Sequence, residues 1–192
     1  MAKDYLNAEP TEMRRRDRAK DDTWIKSLLH KAPYGSMATI HNDQPFIHTT
    51  NFAFDEVNKR IYTHSAKVGR TPANIDAHAK VAFSVSEMGR LLPASEALEF
   101  SVEFSGVVVF GRARRVNEKE EAIFGLKLIM AKYAPHLQYG KDYSGICDED
   151  LKRTGVFCLD IDSWTGKQKT VEEDFVGAYK YDDILPLRRL KD

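Results

Sequence analysis

A mainly β fold, with antiparallel strands closing into a small barrel and helices over its ends, is what this 192-residue chain predicts. Three observations carry that expectation. From Tyr34 the apolar pattern changes from a helical period to a period of two, which places alternate side chains on opposite faces of a strand. At least six such stretches follow in hairpin-like succession, separated by short polar turns. The first three have no helix between them, which excludes a doubly wound parallel sheet.

The elements follow in order. Residues 1–20 are polar and read as a solvated arm: Asp17, Asp21 and Asp22 interleave with and follow Arg14, Arg15, Arg16, Arg18 and Lys20. A short helix comes next, with Trp24, Ile25, Leu28 and Leu29 as its apolar stripe. Asp21 or Asp22 stands where a carboxylate can accept the free N–H groups at the helix start, and Pro33 and Gly35 end it. Strands are expected over 36–40, 45–54, 60–65 and 80–86, with turns at 41–44 and 55–59. In the second, Phe46, His48, Thr50, Phe52 and Phe54 share one face, and Ile47, Thr49, Asn51 and Ala53 the other. Residues 69–78 read as a short helix that tolerates Pro72 in its first turn.

A loop around Gly89 and Pro93 leads to the longest β pattern, 98–116, where Gly106 and Gly111 suggest a bulge or barrel corner. Asn117 is the expected cap of a helix carrying Ala122, Ile123, Leu126, Ile129, Met130 and Tyr133 on one face, with Glu120 completing a capping box. A helical turn at 148–153 precedes a last strand at 156–161, and the chain is polar and weakly patterned from Thr165. No repeat or linker appears, so the expectation is one domain over 1–192, with an arm to about 20 and a tail from about 168.

Composition narrows the function. Lys and Arg number 29 and Asp and Glu number 29, so no bulk field draws nucleic acid or an anionic membrane. Apolar runs are too short to span a bilayer, and the first residues lack the apolar core of a secretory signal, so a cytoplasmic protein is expected. Cys147 and Cys158 form no ligand pair for zinc, and His41, His48, His64 and His78 follow no ligand spacing, so no metal is expected. Dinucleotide, P-loop, nucleophile-elbow and HExxH motifs are all missing.

The informative stretch is 46–70. Strand-end hydroxyls, Lys67, and Gly69-Arg70-Thr71 at a helix start make a phosphate seat, since free N–H groups, the helix dipole and a guanidinium fork all favour an anion. The same residues also fit a plain structural role, with His64 bonded within the sheet, Ser65 capping a turn and Arg70 on the surface.

The run His64-Ser65-Ala66-Lys67-Val68-Gly69-Arg70 resembles the HSAxxGR(K) segment of the flavin-binding split-barrel superfamily, the pyridoxamine 5′-phosphate oxidase-like proteins. The similarity is greatest to the nitroimidazole-reductase type. It extends over about 13–168 through the arm 14–18, Thr50-Asn51-Phe52-Ala53-Phe54, and the stretches 85–93, 99–104, 109–113, 150–154 and 162–167.

The resemblance implies a six-stranded antiparallel split β-barrel, acting as a homodimer with FMN at the subunit interface. It assigns Ile47, His48, Thr49, Thr50 and Asn51 to the isoalloxazine, largely through their backbone. It assigns His64, Ser65, Lys67, Gly69, Arg70 and Thr71 to the ribityl phosphate, and makes Trp164 and Lys167 candidates for contacts from the partner. His64 matches a histidine implicated near the reactive centre, and Phe46, Phe52 or Phe104 could wall a flat substrate. Many relatives have Lys after Gly-Arg; this chain has Thr71, which leaves the phosphate charge to Arg70 and Lys67.

The implied activity is FMN-dependent reduction of a small nitroaromatic such as a 5-nitroimidazole, with NAD(P)H or another reductant recharging the flavin. Two alternatives accompany it. One is oxidation of a pyridoxamine-like phosphate, for which no second basic cluster is evident. The other is a non-catalytic flavin- or haem-binding protein, with His48 or His64 as axial ligand.

Overall fold

The computed structural model describes residues 4–188. Six strands of seven or more residues carry the fold: β2 (Gly35–His41), β3 (Gln44–Thr50), β5 (Arg60–Ala66), β6 (Lys80–Leu92), β7 (Ser101–Arg115) and β8 (Thr154–Lys169). Two short ones join them, β1 (Ala19–Lys20) and β4 (Ala53–Asp55). The helices are α1 (Asp22–Lys31), α2 (Arg70–Ala77), α3 (Lys119–Tyr133), α4 (Asp148–Arg153) and α5 (Tyr181–Arg188). All the pairings between these strands are antiparallel, in the order β3-β2-β6-β7-β8-β5-β4, with β1 on β8.

The two edges of this sheet, β3 and β4, are consecutive in the chain. The expected strand 45–54 is therefore two strands: it leaves β2 after Thr50, crosses at Asn51–Phe52, and joins β5 at the opposite edge. Alternation of apolar residues continues across the step, so periodicity alone could not reveal it. The sheet curls but stays open, because no ladder joins β3 to β4. Helix α3 holds the crossing instead. The Phe52 N–H donates to Tyr133 Oη (3.0 Å), whose hydroxyl donates to the Pro33 carbonyl (2.6 Å).

Beside it, Lys132 Nζ lies 3.6 Å from the centroid of the Phe52 ring and donates to the Leu29 carbonyl. Burial without a carboxylate partner pushes this ammonium down to about 8. The unfolded chain, at about 10.4, holds the proton longer, so this group makes stability rise with pH between 8 and 10.4. Lys132→Met is expected to stabilise the protein by about 1 kcal/mol at pH 7, discounting for partial exposure, and to lose that advantage above pH 10.4. Urea unfolding of both proteins at the two pH values measures it.

The interior is filled by Phe52, Phe83, Leu29, Val107, Val109 and Leu159, with Phe52 and Phe83 edge to face at 4.9 Å. A second cluster lies outside the barrel, where Tyr62, Val156 and Cys158 of β5 and β8 pack under α3. Cys158 is buried filler, and burial drives its thiol up to about 11.

Several boundaries differ from expectation. The arm is anchored, since Ala19 and Lys20 pair with Lys167 and Gly166. Asp21, not Asp22, caps α1 by accepting from Trp24 N–H, and Asp22 accepts from Trp164 Nε1 instead. Strand β6 runs on through Gly89 to Leu92 with an irregularity between Met88 and Leu91. Residues 101–115 form one strand; opposite its Phe110–Gly111 step β8 carries one extra residue, Asp162, and an added Cβ on Gly111 would sit 2.1 Å from the Asp160 carbonyl oxygen. Asn117 is no cap: Glu118 holds that position without a side-chain bond. Strand β8 continues to Lys169, through residues whose polarity hid it, and α5 lies in the expected tail. Residues 1–3 of the arm and 189–192 of the tail lie outside the described residues.

Candidate functional site

β3 hydrogen-bonds to β2 on one side only, so on its other side the backbone groups are free of the sheet. The tight hairpin before it, with Asn42 and Asp43 both at positive φ, fixes its register on β2. Phe46 is 38% and Ile47 68% exposed, and Thr49 is also exposed, while His48, Thr50 and Asn51 are half-buried. Of the three aromatics that could wall a substrate, Phe46 is at the surface, whereas Phe52 is fully buried and Phe104 intermediate.

The second segment begins on β5. There His64 pairs with Val156 and lies on the same face as Tyr62, the outer face under α3. Its Nδ1 is buried without a hydrogen-bond partner. Ser65 Oγ donates to the Ala66 carbonyl and caps no helix. The chain then turns through Gly69 at φ +145, a conformation that favours glycine, and enters α2 with no side-chain cap. A Cβ on Gly69 would meet nothing nearer than Pro72 Cδ at 4.0 Å, so the helix start faces open space. Lys67 and Arg70 are exposed and carry no ion pair among the described residues. Most neighbouring arginines are paired: Arg60 with Asp160, Arg114 with Glu121, and Arg115 with Asp76.

A buried polar chain connects the two segments. Asn74, fully buried on α2, donates from Nδ2 to Thr39 Oγ1 (3.0 Å), and Thr39 donates to the Phe46 carbonyl (3.4 Å). Arg115 holds the loop from the other side, through Asp76 on α2 and the Lys67 carbonyl (2.8 Å). Sequence reasoning missed Asn74, Thr39 and Arg115, since their partners lie 35 or more residues away or on other elements. The only local hint was an Asn beside the apolar Ile75 of a short helix.

Trp164 and Lys167 sit far along β8 from the His64–Thr71 segment. They lie eight and eleven residues along β8 from Val156, about 26 and 36 Å of strand at about 3.3 Å per residue. Trp164 packs against Phe54, and Lys167 Nζ lies 5.6 Å from the Phe104 ring centroid.

The residues fit a flavin phosphate. Uncommitted cations, an uncapped helix start in open space and an orphaned imidazole nitrogen are what an anionic, hydrogen-bonding group would satisfy. Among the described residues no cluster of three His, Cys, Asp or Glu could hold a metal, and no helix is long and apolar enough to cross a membrane.

An open, curled antiparallel sheet with consecutive edge strands and a glycine-led helix after β5 defines the split-barrel class. The chain belongs to the pyridoxamine 5′-phosphate oxidase family, whose model matches residues 21–168. No curated protein matches it significantly. Solved structures similar to it include the flavocytochrome Anf3 from Azotobacter vinelandii (22% identity, TM-score 0.74, 87% of this chain and 78% of that one). A second is a candidate 5-nitroimidazole antibiotic resistance protein from Bacteroides thetaiotaomicron (20%, TM-score 0.65, 78% and 84%). A third is the FAD and haem binding protein from Mycobacterium smegmatis (16%, TM-score 0.70, 88% and 80%).

Proposed function

We propose that this chain is an FMN-dependent reductase of small nitroaromatic compounds, working as a homodimer with its flavin between subunits. The observation that supports it most is the pairing of an exposed edge strand, β3, with an uncapped helix start carrying the unpaired Arg70, joined through Asn74 and Thr39. Arg70, Lys67 and the N–H groups at Gly69–Thr71 would hold the phosphate, and the free backbone of Ile47–Asn51 would border the ring system. When bound, the flavin supplies the electrons, and the protein supplies position and exclusion of water. His64, a half-buried imidazole at the end of β5, would donate a proton or hydrogen bond to a substrate oxygen as negative charge develops. The exposed Phe46 and Ile47 favour a dimer.

The test is reconstitution with FMN followed by NAD(P)H-dependent loss of metronidazole. Flavin-loaded protein should consume it, and flavin-loaded His64→Ala should fall at least 100-fold. No consumption would overturn the substrate assignment, and near-parental turnover in the variant would remove His64 from the chemistry. A second reading, a flavin- and haem-binding protein without this activity, is favoured by the names of two similar structures. A Soret band in the purified protein would establish it.

A further inference from the structure

On the outer face of β5 and β8, a cavity of about 430 Å³ opens between α4, the start of β8 and the first turn of α3. Its β8 wall contains Thr154, Gly155 and Val156, which pair with Ala66, Ser65 and His64, so it runs alongside the segment assigned above to the flavin. The floor is apolar, made by Ala122, Val156 and Leu151 of the outer cluster.

The rim carries four cations, Lys67, Arg115, Lys119 and Lys152, against one carboxylate, Asp148. Arg115 is pre-positioned: Asp76 and the Lys67 carbonyl fix it, and it stacks over Phe157 at 5.6 Å. Lys119 and Lys152 pair with Asp148 and Glu149 in exposed bridges, which are worth little and yield to a better anion. Lys67 is uncommitted among the described residues. The volume lies in the range of small-molecule sites, and cations around an apolar floor select a molecule that joins a phosphate to a flat apolar ring.

We propose that this cavity binds a nucleoside monophosphate group. Two sources carry that group: a free mononucleotide, or the adenylate half of FAD with its flavin half at the Gly69–Thr71 seat. The second source rests on the flavin reading; the first does not.

The experiment titrates flavin-free full-length protein with AMP, FMN and FAD by calorimetry. It compares the parent with Asn117→Trp and Lys152→Glu, both exposed positions on the cavity lining. AMP should bind saturably and lose at least tenfold in affinity in each variant. FAD binding at least tenfold tighter than FMN, with that difference abolished in the variants, assigns the adenylate half of FAD. Equal FAD and FMN affinities with AMP still bound assign the free nucleotide. AMP binding without either flavin would sink the flavin reading and leave the cavity assignment standing. Absent AMP binding together with FAD no tighter than FMN overturns the proposal, as does AMP binding that survives both substitutions.

Discussion

Glu103→Ala is expected to cost about 3 kcal/mol and to release the segment after β8. Glu103 is a buried carboxylate near the loop end of the long β6–β7 hairpin, gripped in two places by Arg90: Nε to Oε2 and Nη2 to Oε1, both 2.9 Å. Oε1 also accepts from Val171 N–H (2.9 Å). Arg90 in turn donates to the carbonyls of Val171, Glu172 and Glu173. One ion pair thus fastens both β6 to β7 and the chain that follows β8, and Leu91 adds a backbone bridge to Tyr179. Removing the carboxylate leaves the guanidinium with backbone carbonyls alone and deprives the strap of its Val171 anchor, loosening both together. Denaturant unfolding measures the first effect, and new proteolytic cuts within 171–179 measure the second; an intact strap at unchanged stability would contradict the account.

The same pair sets a pH dependence. Arg90 holds the Glu103 carboxyl down to about 2, against about 4.3 for an unfolded Glu. Its contribution is therefore complete above pH 4.3 and disappears as pH falls towards 2. Wild type should lose more stability than Glu103→Ala over that window.

What the sequence revealed and what it hid divide along a physical line. Local patterns carried the strands, the helix at 148–153 and the α1 stripe, because each depends on residues within one turn or one pleat. The crossing at Asn51–Phe52 was hidden, because the residues there keep the alternation of a continuous strand and the break is imposed by Tyr133, 81 residues away. Gly89 and Pro93 suggested a loop because glycine and proline usually punctuate; here Glu103, brought alongside by β7, lets the strand continue. The start of α2 after β5 was legible as Gly69-Arg70. Its attachment to β3 was not, since that runs through a buried Asn–Thr pair on two other elements.

Arg70→Ala is expected to weaken flavin binding by about 1.5–3 kcal/mol, roughly 10- to 150-fold, if its guanidinium meets the phosphate. One feature makes the dependence on few residues strong: Thr71 stands where the resembling segment carries a second cation, so the phosphate charge falls to Arg70 with Lys67. Arg70 is also free to engage, with no carboxylate among the described residues to be displaced first. Arg70→Lys should recover only part of the loss, because a point charge replaces a two-pronged donor. Thr71→Lys should tighten binding several-fold by restoring the missing charge. Fluorescence quenching titrations with FMN measure all three. Because the phosphate contact is exposed, the gap between parent and Arg70→Ala should narrow as salt rises from 0.05 to about 1 M, where charges are screened within about 3 Å. An unchanged dissociation constant at low salt would mean that the phosphate lies elsewhere. A gap indifferent to salt would mean that Arg70 acts by shaping the loop rather than by its charge.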